Sequence, residues 1–220
     1  MSSSLPSFVE RGRFRSPAVT PQALTWHHGN LWMGSRDLRR IYGINVNDWQ
    51  VFEERQAPGI PWAAVSVGKT LRFTIGEGAN DDRYMWSYVP SQGFSDAGRF
   101  AYPELTGSYL SFDGSDIYMS QWYKERILKL GPDGHVVRTI HVPREISGHV
   151  FVDSSIYILH GTEQNGESWT IAKFNPAENK PEVRDIAIVP FACRSLAHDG
   201  KYFWSNFRAG GETISFSLPE

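Results

Sequence analysis

The chain has little cysteine and no long apolar stretch. Cys193 is the single cysteine among 220 residues, so an intrachain disulfide framework and a cysteine-based zinc site are both excluded. No run of apolar residues approaches the ~18 positions that a membrane-spanning helix needs. Three arginines interrupt the first 21 residues, a pattern that does not fit a signal peptide. We therefore expect a cytoplasmic protein without a membrane partner.

Net charge is also nearly absent. The sequence has 22 Lys and Arg against 24 Asp and Glu, which leaves a formal charge of −2. Proteins that bind nucleic acids or membrane surfaces usually carry a basic excess. The charge balance therefore argues against a nucleic-acid partner and leaves a small-molecule ligand or a protein as the expected partner.

Aromatic and turn-forming residues are abundant. Phe, Trp and Tyr make up 14% of the chain, and it contains 20 Gly and 13 Pro. Aromatic residues favour strands, and glycine and proline favour the turns between them. This composition predicts an all-β protein built from many short strands.

A weak internal repeat defines the architecture. Five segments share an apolar strand, a small turn and a second apolar strand; they begin at Leu24, Val65, Leu110, Val150 and Leu196. Their spacings are 41, 45, 40 and 46 residues. A period of ~40–50 residues with four strands in each repeat is typical of the blades of a β-propeller.

The ends of the sequence complete the count of blades. From Leu196 through the C-terminus and on to Leu24 is 48 residues, about one repeat. We therefore predict a single domain, residues 1–220, folded as a five-bladed β-propeller in which residues between Phe8 and Val19 form the outer strand of the last blade. A β-sandwich with irregular hairpins is the alternative.

Two segments carry a resemblance to known families. Residues 112–118 (FDGSDIY) and 127–136 (ILKLGPDGHV) resemble the repeats of small degenerate propellers. These include the gluconolactonase-like proteins, streptogramin B lyase, the NHL-repeat proteins and the five-bladed glutaminyl cyclases. The resemblance implies the blade architecture alone, so no catalytic residue is transferred from these families.

One face of the predicted ring concentrates polar and aromatic residues. In a propeller, the starts of the first strands and the ends of the second strands meet at one mouth of the central channel. Burial of charged groups there is costly unless they have partners or a function, so we expect either a ligand site or a polar plug. The residues at these positions are Gln22, Ser35, Arg36, Trp62, Glu77, Ser108, Tyr109, Gln121, Trp122, His149, His160, Arg194, Asn206 and Arg208.

Catalytic roles in this set are assigned to His149, His160 and Glu77. An imidazole with its ordinary pKa of ~6.5 can accept or donate a proton near neutral pH. The same three side chains are suitable ligands for Zn, Mn or Fe, so they also form a candidate site for a divalent metal. A purely structural role for either histidine remains open.

Substrate binding is assigned to the other polar and aromatic members of the set. Guanidinium groups bind carboxylates and phosphates, and aromatic rings pack against planar ligands. Ion pairs within the protein are the alternative for the arginines. The residues assigned to this role are Arg36, Trp62, Tyr109, Trp122, Arg194, Asn206 and Arg208.

Other features receive secondary predictions. The Gly-rich acidic segments 75–83 and 161–167 are expected to be ligand loops at the same face. Asp81 and Asp82 are weak calcium candidates, because the spaced carboxylates of a calcium-binding loop are missing. His27, His28 and His198 are expected as solvated residues in or beside turns at the opposite face.

The favoured functional hypothesis is a small-molecule hydrolase, lyase or isomerase whose substrate is anionic and partly aromatic. The first alternative is a non-catalytic module that binds a small molecule or a protein loop through the same face. A structural propeller within a larger complex is the second alternative.

Overall fold

The computed structural model describes residues 5–161 and 169–219. These residues form five four-stranded antiparallel sheets, which are the five blades of a ring. Each blade is a simple meander, with strands in sequence order from the channel outward, except that the outer strand of blade 5 comes from the N-terminus. The all-β, five-bladed prediction is therefore confirmed.

Each blade runs from an inner strand at the channel to an outer strand at the rim. In that order, blade 1 contains β2 (Pro21–His27), β3 (Asn30–Ser35), β4 (Arg40–Asn45) and β5 (Gln50–Gln56). Blade 2 contains β6 (Ile60–Val67), β7 (Thr70–Glu77), β8 (Asp82–Val89) and β9 (Gly93–Ala101). Blade 3 contains β10 (Leu110–Phe112), β11 (Ile117–Gln121), β12 (Arg126–Leu130) and β13 (Val136–His141). Blade 4 contains β14 (Ile146–Val152), β15 (Ser155–His160), β16 (Trp169–Phe174) and β17 (Arg184–Val189). Blade 5 contains β18 (Arg194–His198), β19 (Phe203–Phe207), β20 (Glu212–Ser217) and β1 (Val9–Arg15).

The inner strands define the central channel and its closure. They contact one another in the order β2, β6, β10, β14, β18 and again β2. β1 pairs antiparallel with β20, in a register that runs from Val9 opposite Ser217 to Arg15 opposite Glu212. The predicted closure of the last blade by the N-terminal strand is therefore confirmed.

The N-terminal segment also contacts the blades on both sides of blade 5. The Phe8 N–H donates to the Ile188 carbonyl at 3.1 Å, and the Ile188 N–H donates to the Pro6 carbonyl at 2.8 Å, which joins the segment to blade 4. The indole N–H of Trp49 in blade 1 donates to the Arg15 carbonyl at 2.7 Å. The closing segment therefore links three consecutive blades.

The apolar core lies between neighbouring blades. Trp32 of blade 1 packs with Phe73 and Tyr88 of blade 2. The rings of Trp32 and Tyr88 are 5.5 Å apart, and those of Phe73 and Tyr88 are 6.0 Å apart, both pairs edge to face. Edge-to-face contacts of this kind are favourable for aromatic pairs. The many aromatic residues of the sequence thus fill the wedges between blades.

The Asp-Gly turns of the repeat have a common hydrogen-bond pattern. In blade 3, Asp113 Oδ1 accepts the backbone N–H groups of Ser115 at 2.8 Å and Asp116 at 2.7 Å, while Oδ2 accepts the Tyr118 hydroxyl at 3.0 Å. In blade 5, Asp199 accepts the equivalent backbone N–H groups of Lys201 and Tyr202, and its Oδ2 accepts the Trp204 indole N–H at 2.8 Å. The glycines that follow the two aspartates have φ of +97° and +96°, a conformation that glycine adopts without strain.

Two short 3-10 helices, Pro103–Leu105 and Trp122–Lys124, lie at the same end of blade 3. Within residues 5–161 and 169–219, no helix has the length and apolar character needed to cross a membrane.

Candidate functional site

A cavity of about 960 Å³ opens at the mouth of the channel where the first strands begin. All five blades contribute to its wall. Six of the seven residues assigned to substrate binding line it: Arg36, Trp62, Tyr109, Trp122, Arg194 and Arg208. The seventh, Asn206, is buried beside the cavity and its Oδ1 accepts the Thr213 hydroxyl at 3.1 Å.

Irregular pairing at the ends of the inner strands directs side chains into the cavity. The register shifts between Pro21 and Leu24 in blade 1, between Pro61 and Ala63 in blade 2, and between Ile146 and Gly148 in blade 4. The residues inside these shifts, Gln22, Trp62 and Ser147, all line the cavity. A β-bulge leaves a residue unpaired and re-aims its side chain. The bulges thus let strands that pack tightly along the channel present functional groups at one end.

Gln22 and Tyr109 form the floor of the cavity. Gln22 Nε2 donates to the Trp62 carbonyl at 3.2 Å and to the Tyr109 hydroxyl at 3.1 Å. Gln22 is 1% exposed and Tyr109 is 8% exposed. These bonds connect blades 1, 2 and 3 across the channel. The structure therefore contains a cavity at the mouth and, at its base, a hydrogen-bonded polar layer.

The blade 2 wall is a stacked arrangement around Arg83. Its guanidinium lies over the Trp62 ring at 4.0 Å and forms an ion pair with Asp81 at 2.5 Å. Asp81 also accepts the Trp62 indole N–H at 3.0 Å, and Arg83 donates to the Gly107 carbonyl at 3.0 Å. Burial lowers the pKa of Arg83, and the Asp81 carboxylate partly offsets that shift. The two charges hold the Trp62 ring as a fixed wall.

The blade 4 and blade 5 wall is built around Arg194. Its guanidinium lies 4.6 Å from the centre of the Trp169 ring, and its Nη1 donates to the Ser147 hydroxyl at 3.0 Å. Trp169 is 1% exposed, and its indole N–H has no hydrogen-bond partner among the described residues. A buried N–H on a cavity wall can donate to a ligand oxygen.

Two further arginines extend the positive side of the cavity across blades 5 and 1. Arg208 Nε donates to the Pro21 carbonyl at 3.0 Å, and Arg36 pairs with Asp37 at 3.0 Å. Hydrogen bonds from Thr20 and Arg36, together with the charges of Arg36 and Arg208, lower the pKa of Asp37. Asp37 is therefore ionised at neutral pH and is the hydrogen-bonded partner of Arg36 beside the cavity.

The structure does not place His149 at the cavity. β14 begins at Ile146, so His149 lies farther along the strand than the start of the repeat suggested. It is 1% exposed, and its Nδ1 is 2.9 Å from the Ser111 hydroxyl. Burial lowers the pKa of His149 to about 4. It is a neutral member of the polar layer inside the channel at pH 7.

His160 and Glu77 also lie outside the cavity lining. His160 Nε2 is 2.9 Å from Asp185 on the outer strand of its own blade, and burial lowers the pKa of His160 while Asp185 opposes the shift. Glu77 accepts the Trp86 indole N–H at 2.6 Å and pairs with Arg99 at 3.0 Å. Both side chains meet outer strands of their blades rather than the channel.

The expected convergence of His149, His160 and Glu77 with Arg194 is therefore not seen: of these four, Arg194 alone lines the cavity. The three also have separate partners. Within the described ranges, no three His, Cys, Asp or Glu side chains are close enough to hold a metal ion. For His149 the physical reason is its position along β14, three residues after the strand begins. For His160 and Glu77 the reason is strand register, because a shift of one residue turns a side chain to the other face of its sheet.

The turn histidines lie at the predicted end of their strands, but His27 is buried and not solvated, with its Nδ1 2.8 Å from the Ser66 hydroxyl. His27 is the last residue of β2, whose start carries Gln22 at the cavity, and His198 is the last residue of β18, which begins with Arg194. At about 3.3 Å per residue, these histidines are more than a dozen ångströms from the cavity ends of their strands. His28 follows in the turn and bonds the Gly68 carbonyl at 3.0 Å.

The two predicted ligand loops have different outcomes. Asn80, Asp81 and Arg83, from the first loop and the strand that follows it, line the cavity. In the second segment, Gly161 lines the cavity and residues 162–168 lie outside the described residues. Cys193 is buried, and burial raises the pKa of its thiol to about 12, so it is protonated at neutral pH.

Several lining residues lie at positions that the repeat does not mark. Trp169 begins the third strand of blade 4, a position not assigned to the site from the sequence. Glu145 and Ser147 precede His149, and Ser147 lies in a bulge that the repeat does not reveal. The sequence does contain one indication for Trp169, which is its place just after the Gly-rich segment 161–167 that was predicted to be a ligand loop.

Comparison with known proteins supports the architecture. No model of a known protein family matches the sequence, and no curated protein matches it. The fold is similar to that of a glutaminyl cyclase from Myxococcus xanthus, with a TM-score of 0.72 and 12% identity over 99% of this chain and 100% of that chain.

Two further solved structures are similar at the level of the fold. A calcium-binding protein, regucalcin, from Agrobacterium tumefaciens matches with a TM-score of 0.60 and 12% identity, covering 98% of this chain and 96% of that one. A streptogramin B lyase matches with a TM-score of 0.51 and 9% identity, covering 97% of each chain. At these identities the similarity establishes the fold alone. The chain is thus a small five-bladed β-propeller with an open, arginine-rich and aromatic cavity at one mouth of its channel.

Proposed function

We propose that the protein binds a small organic anion with a planar apolar part in the cavity at the channel mouth. The observation that carries the proposal is the convergence of Arg36, Arg194 and Arg208, from two neighbouring blades, on one cavity of about 960 Å³. A volume of this order is typical of small-molecule sites. This function retains the anionic and aromatic ligand expected from the sequence.

The arginines supply the anion subsite. A guanidinium has five N–H donors, so a ligand oxygen can join the partners that these side chains already have. The indole N–H of Trp169, which lies under the Arg194 guanidinium and has no partner among the described residues, adds a neutral donor to the same wall. A carboxylate or phosphate satisfies both kinds of donor at once.

The aromatic walls supply the apolar subsite. Trp62 is fixed by Arg83 and Asp81 on one side, while Trp122 and Tyr123 lie at the rim with 36% and 87% of their surface exposed. Exposed large aromatic residues are costly to leave uncovered and are frequent at binding sites. The arrangement favours a ligand with its charged end inside and its planar part toward the rim.

A panel of aromatic carboxylates, each paired with its uncharged primary amide, tests this function by calorimetric titration. We expect the carboxylates to bind and their amides to bind at least tenfold more weakly, because hydrogen bonds to charged groups contribute about 1.5–3 kcal/mol. Arg194→Gln should weaken carboxylate binding by a similar factor. Arg184→Gln is the matched control, since Arg184 pairs with Glu182 on the exposed outer strand of blade 4. Equal binding of acids and amides would contradict the proposal.

Catalysis on the bound anion is the second candidate function. Among the described lining residues none is a histidine, but Glu145 lines the cavity and has no ion-pair partner in the described ranges. A carboxylate in such a position can act as a general base for hydrolysis, elimination or isomerisation. Two of the structurally similar proteins are named as enzymes, a cyclase and a lyase, so the architecture can carry chemistry.

Catalysis on the bound anion is tested separately from binding. Any carboxylate that binds is incubated with the protein, and its conversion is followed by mass spectrometry. If Glu145 is the base, Glu145→Gln should reduce turnover by ~10²–10⁴ with little change in affinity. Binding without conversion of any ligand in the panel would leave the protein a binding module.

A further inference from the structure

At the floor of the cavity, the side-chain amide of Gln22 forms hydrogen bonds through its nitrogen but not through its oxygen. Its Nε2 makes two hydrogen bonds, to the Trp62 carbonyl and the Tyr109 hydroxyl. Its Oε1 is buried and has no hydrogen-bond partner among the described residues. The side chain lines the cavity although it is 1% exposed. A buried acceptor of this kind is satisfied in the bound state only if the ligand, or a water that stays with it, donates to it.

The orientation of this amide is dictated by its neighbours. A backbone carbonyl can only accept, so the atom of Gln22 that faces the Trp62 carbonyl must be the nitrogen. The oxygen of the amide therefore points away from the Trp62 carbonyl. The backbone of Gln22 is also fixed, because its carbonyl accepts the Ser195 hydroxyl of blade 5. The amide cannot rotate to hide Oε1 without losing both bonds of its nitrogen.

Gln121 provides an internal comparison. It is the equally buried glutamine of blade 3, but both ends of its amide are used. Its Nε2 donates to the Pro103 and Thr106 carbonyls at 3.1 and 3.0 Å, and its Oε1 accepts Arg126 Nε at 2.6 Å. Gln121 does not line the cavity. A buried glutamine in this fold can therefore be fully satisfied, and the one that faces the cavity is not.

We infer that Gln22 is a specificity-determining residue that selects organic anions carrying an N–H or O–H donor near the carboxylate, such as N-acyl amino acids or hydroxy acids. This inference rests on the proposed function. A ligand that packs against Gln22 Oε1 without offering a donor leaves this buried acceptor unpaired. Sites built to hydrogen-bond a ligand group reject analogues that lack it strongly.

The test compares matched ligands that differ only in the donor. N-acetyl-phenylalanine is paired with its N-methyl analogue, and 3-phenyllactate with its O-methyl ether; affinities are measured by calorimetry. In the unmodified protein we expect the donor member of a pair to bind roughly 10–100-fold more tightly. In Gln22→Met, which removes the acceptor at similar volume, the two members should bind within about threefold of each other. Gln121→Met is the matched control and should keep the preference.

The outcomes separate this inference from the function on which it rests. Equal affinities of both members in the unmodified protein, with binding still dependent on Arg194, would overturn the role of Gln22 alone. A preference that survives in Gln22→Met would overturn it as well. If no member of either pair binds, or if the corresponding uncharged amides bind equally, the proposed function fails and the inference fails with it. The comparison in the unmodified protein holds even if Gln22→Met does not fold.

Discussion

At the scale of single residues, His149 illustrates how position along a strand decides a role. The side chain is surrounded by inner strands and bonded to Ser111 inside the channel, so burial disfavours its charged form and its pKa falls to about 4. In the unfolded chain the same imidazole has a pKa of ~6.5. The difference makes His149 a determinant of stability toward acid.

We predict that the free energy of unfolding decreases as the pH falls from about 6.5 toward 4, since the unfolded chain then binds a proton that folded His149 does not. Between pH 7 and pH 5 this group should contribute a loss of roughly 1–2 kcal/mol. Urea titrations at the two pH values provide the measurement. His149→Leu should reduce the difference; it should not abolish it, because burial also lowers the pKa of His27 to about 4. His141→Gln, at an exposed position on β13, is the control. An unchanged difference in His149→Leu would contradict the prediction.

Some residues that line the cavity could be predicted from the sequence, because the repeat marks where their inner strands begin. Trp62, Tyr109 and Arg194 follow from the repeat, because each stands at the beginning of an inner strand. Glu77 and His160 were not placed correctly relative to the cavity, since the last residues of a second strand alternate between faces and a sequence does not show which face is the channel.

At the scale of strands and hairpins, the Asp-Gly turn repeats a small network. Asp113 ties the turn backbone to the second strand of its blade through Tyr118. Burial alone would raise the pKa of Asp113, but hydrogen bonds from Asp116, Ser115 and Tyr118 outweigh it and lower the pKa. A carboxylate held in this way stabilises the turn as long as it is ionised.

We predict that Asp113→Ala lowers the free energy of unfolding by about 1–3 kcal/mol, because it leaves two backbone N–H groups and a tyrosine hydroxyl without their acceptor. The loss should diminish as the pH falls below ~3.8, where the unfolded carboxyl and then the folded one become protonated. Asp133→Ala is the comparison, since Asp133 lies in an exposed turn and should matter little. Chemical denaturation at pH 7 and pH 3 measures both. Equal effects of the two substitutions would contradict the prediction.

The strands themselves were largely predictable, because apolar alternation and Asp-Gly pairs are local signals. The bulges were not. The register shifts around Gln22, Trp62 and Ser147 are properties of the pairing between two strands, and no local sequence pattern marks them. The same limit explains why Trp169 was missed, since its cavity position depends on blade 5 as well as on its own strand.

At the scale of the whole molecule, the ring depends on one strand from the N-terminal segment. β1 covers the edge of β20, and residues before it contact blade 4 while Arg15 contacts Trp49 of blade 1. An uncovered edge strand offers unpaired backbone groups to other chains.

We predict that deletion of residues 1–15 lowers the melting temperature markedly and promotes aggregation, because it exposes β20 and removes Phe8 and Phe14 from the packing around blade 5. The full-length protein is the reference. Differential scanning calorimetry and light scattering measure the two effects. Identical melting of the shortened and full-length chains would show that the closing strand is dispensable.

The pairing of β1 with β20 also has a consequence for biosynthesis. Blades 1 to 4 are each made from one continuous stretch, but β1 and its partner β20 are separated by about 200 residues. At ~5–20 residues per second, a ribosome needs on the order of 10 s or more to make the intervening chain. During that time β1 has no strand to pair with. Its arginines at positions 11, 13 and 15 disfavour premature pairing with the strands of other chains. A circular permutant that begins at β2 and carries β1 after β20 would make every blade local in sequence, so it should fold faster than the natural chain order.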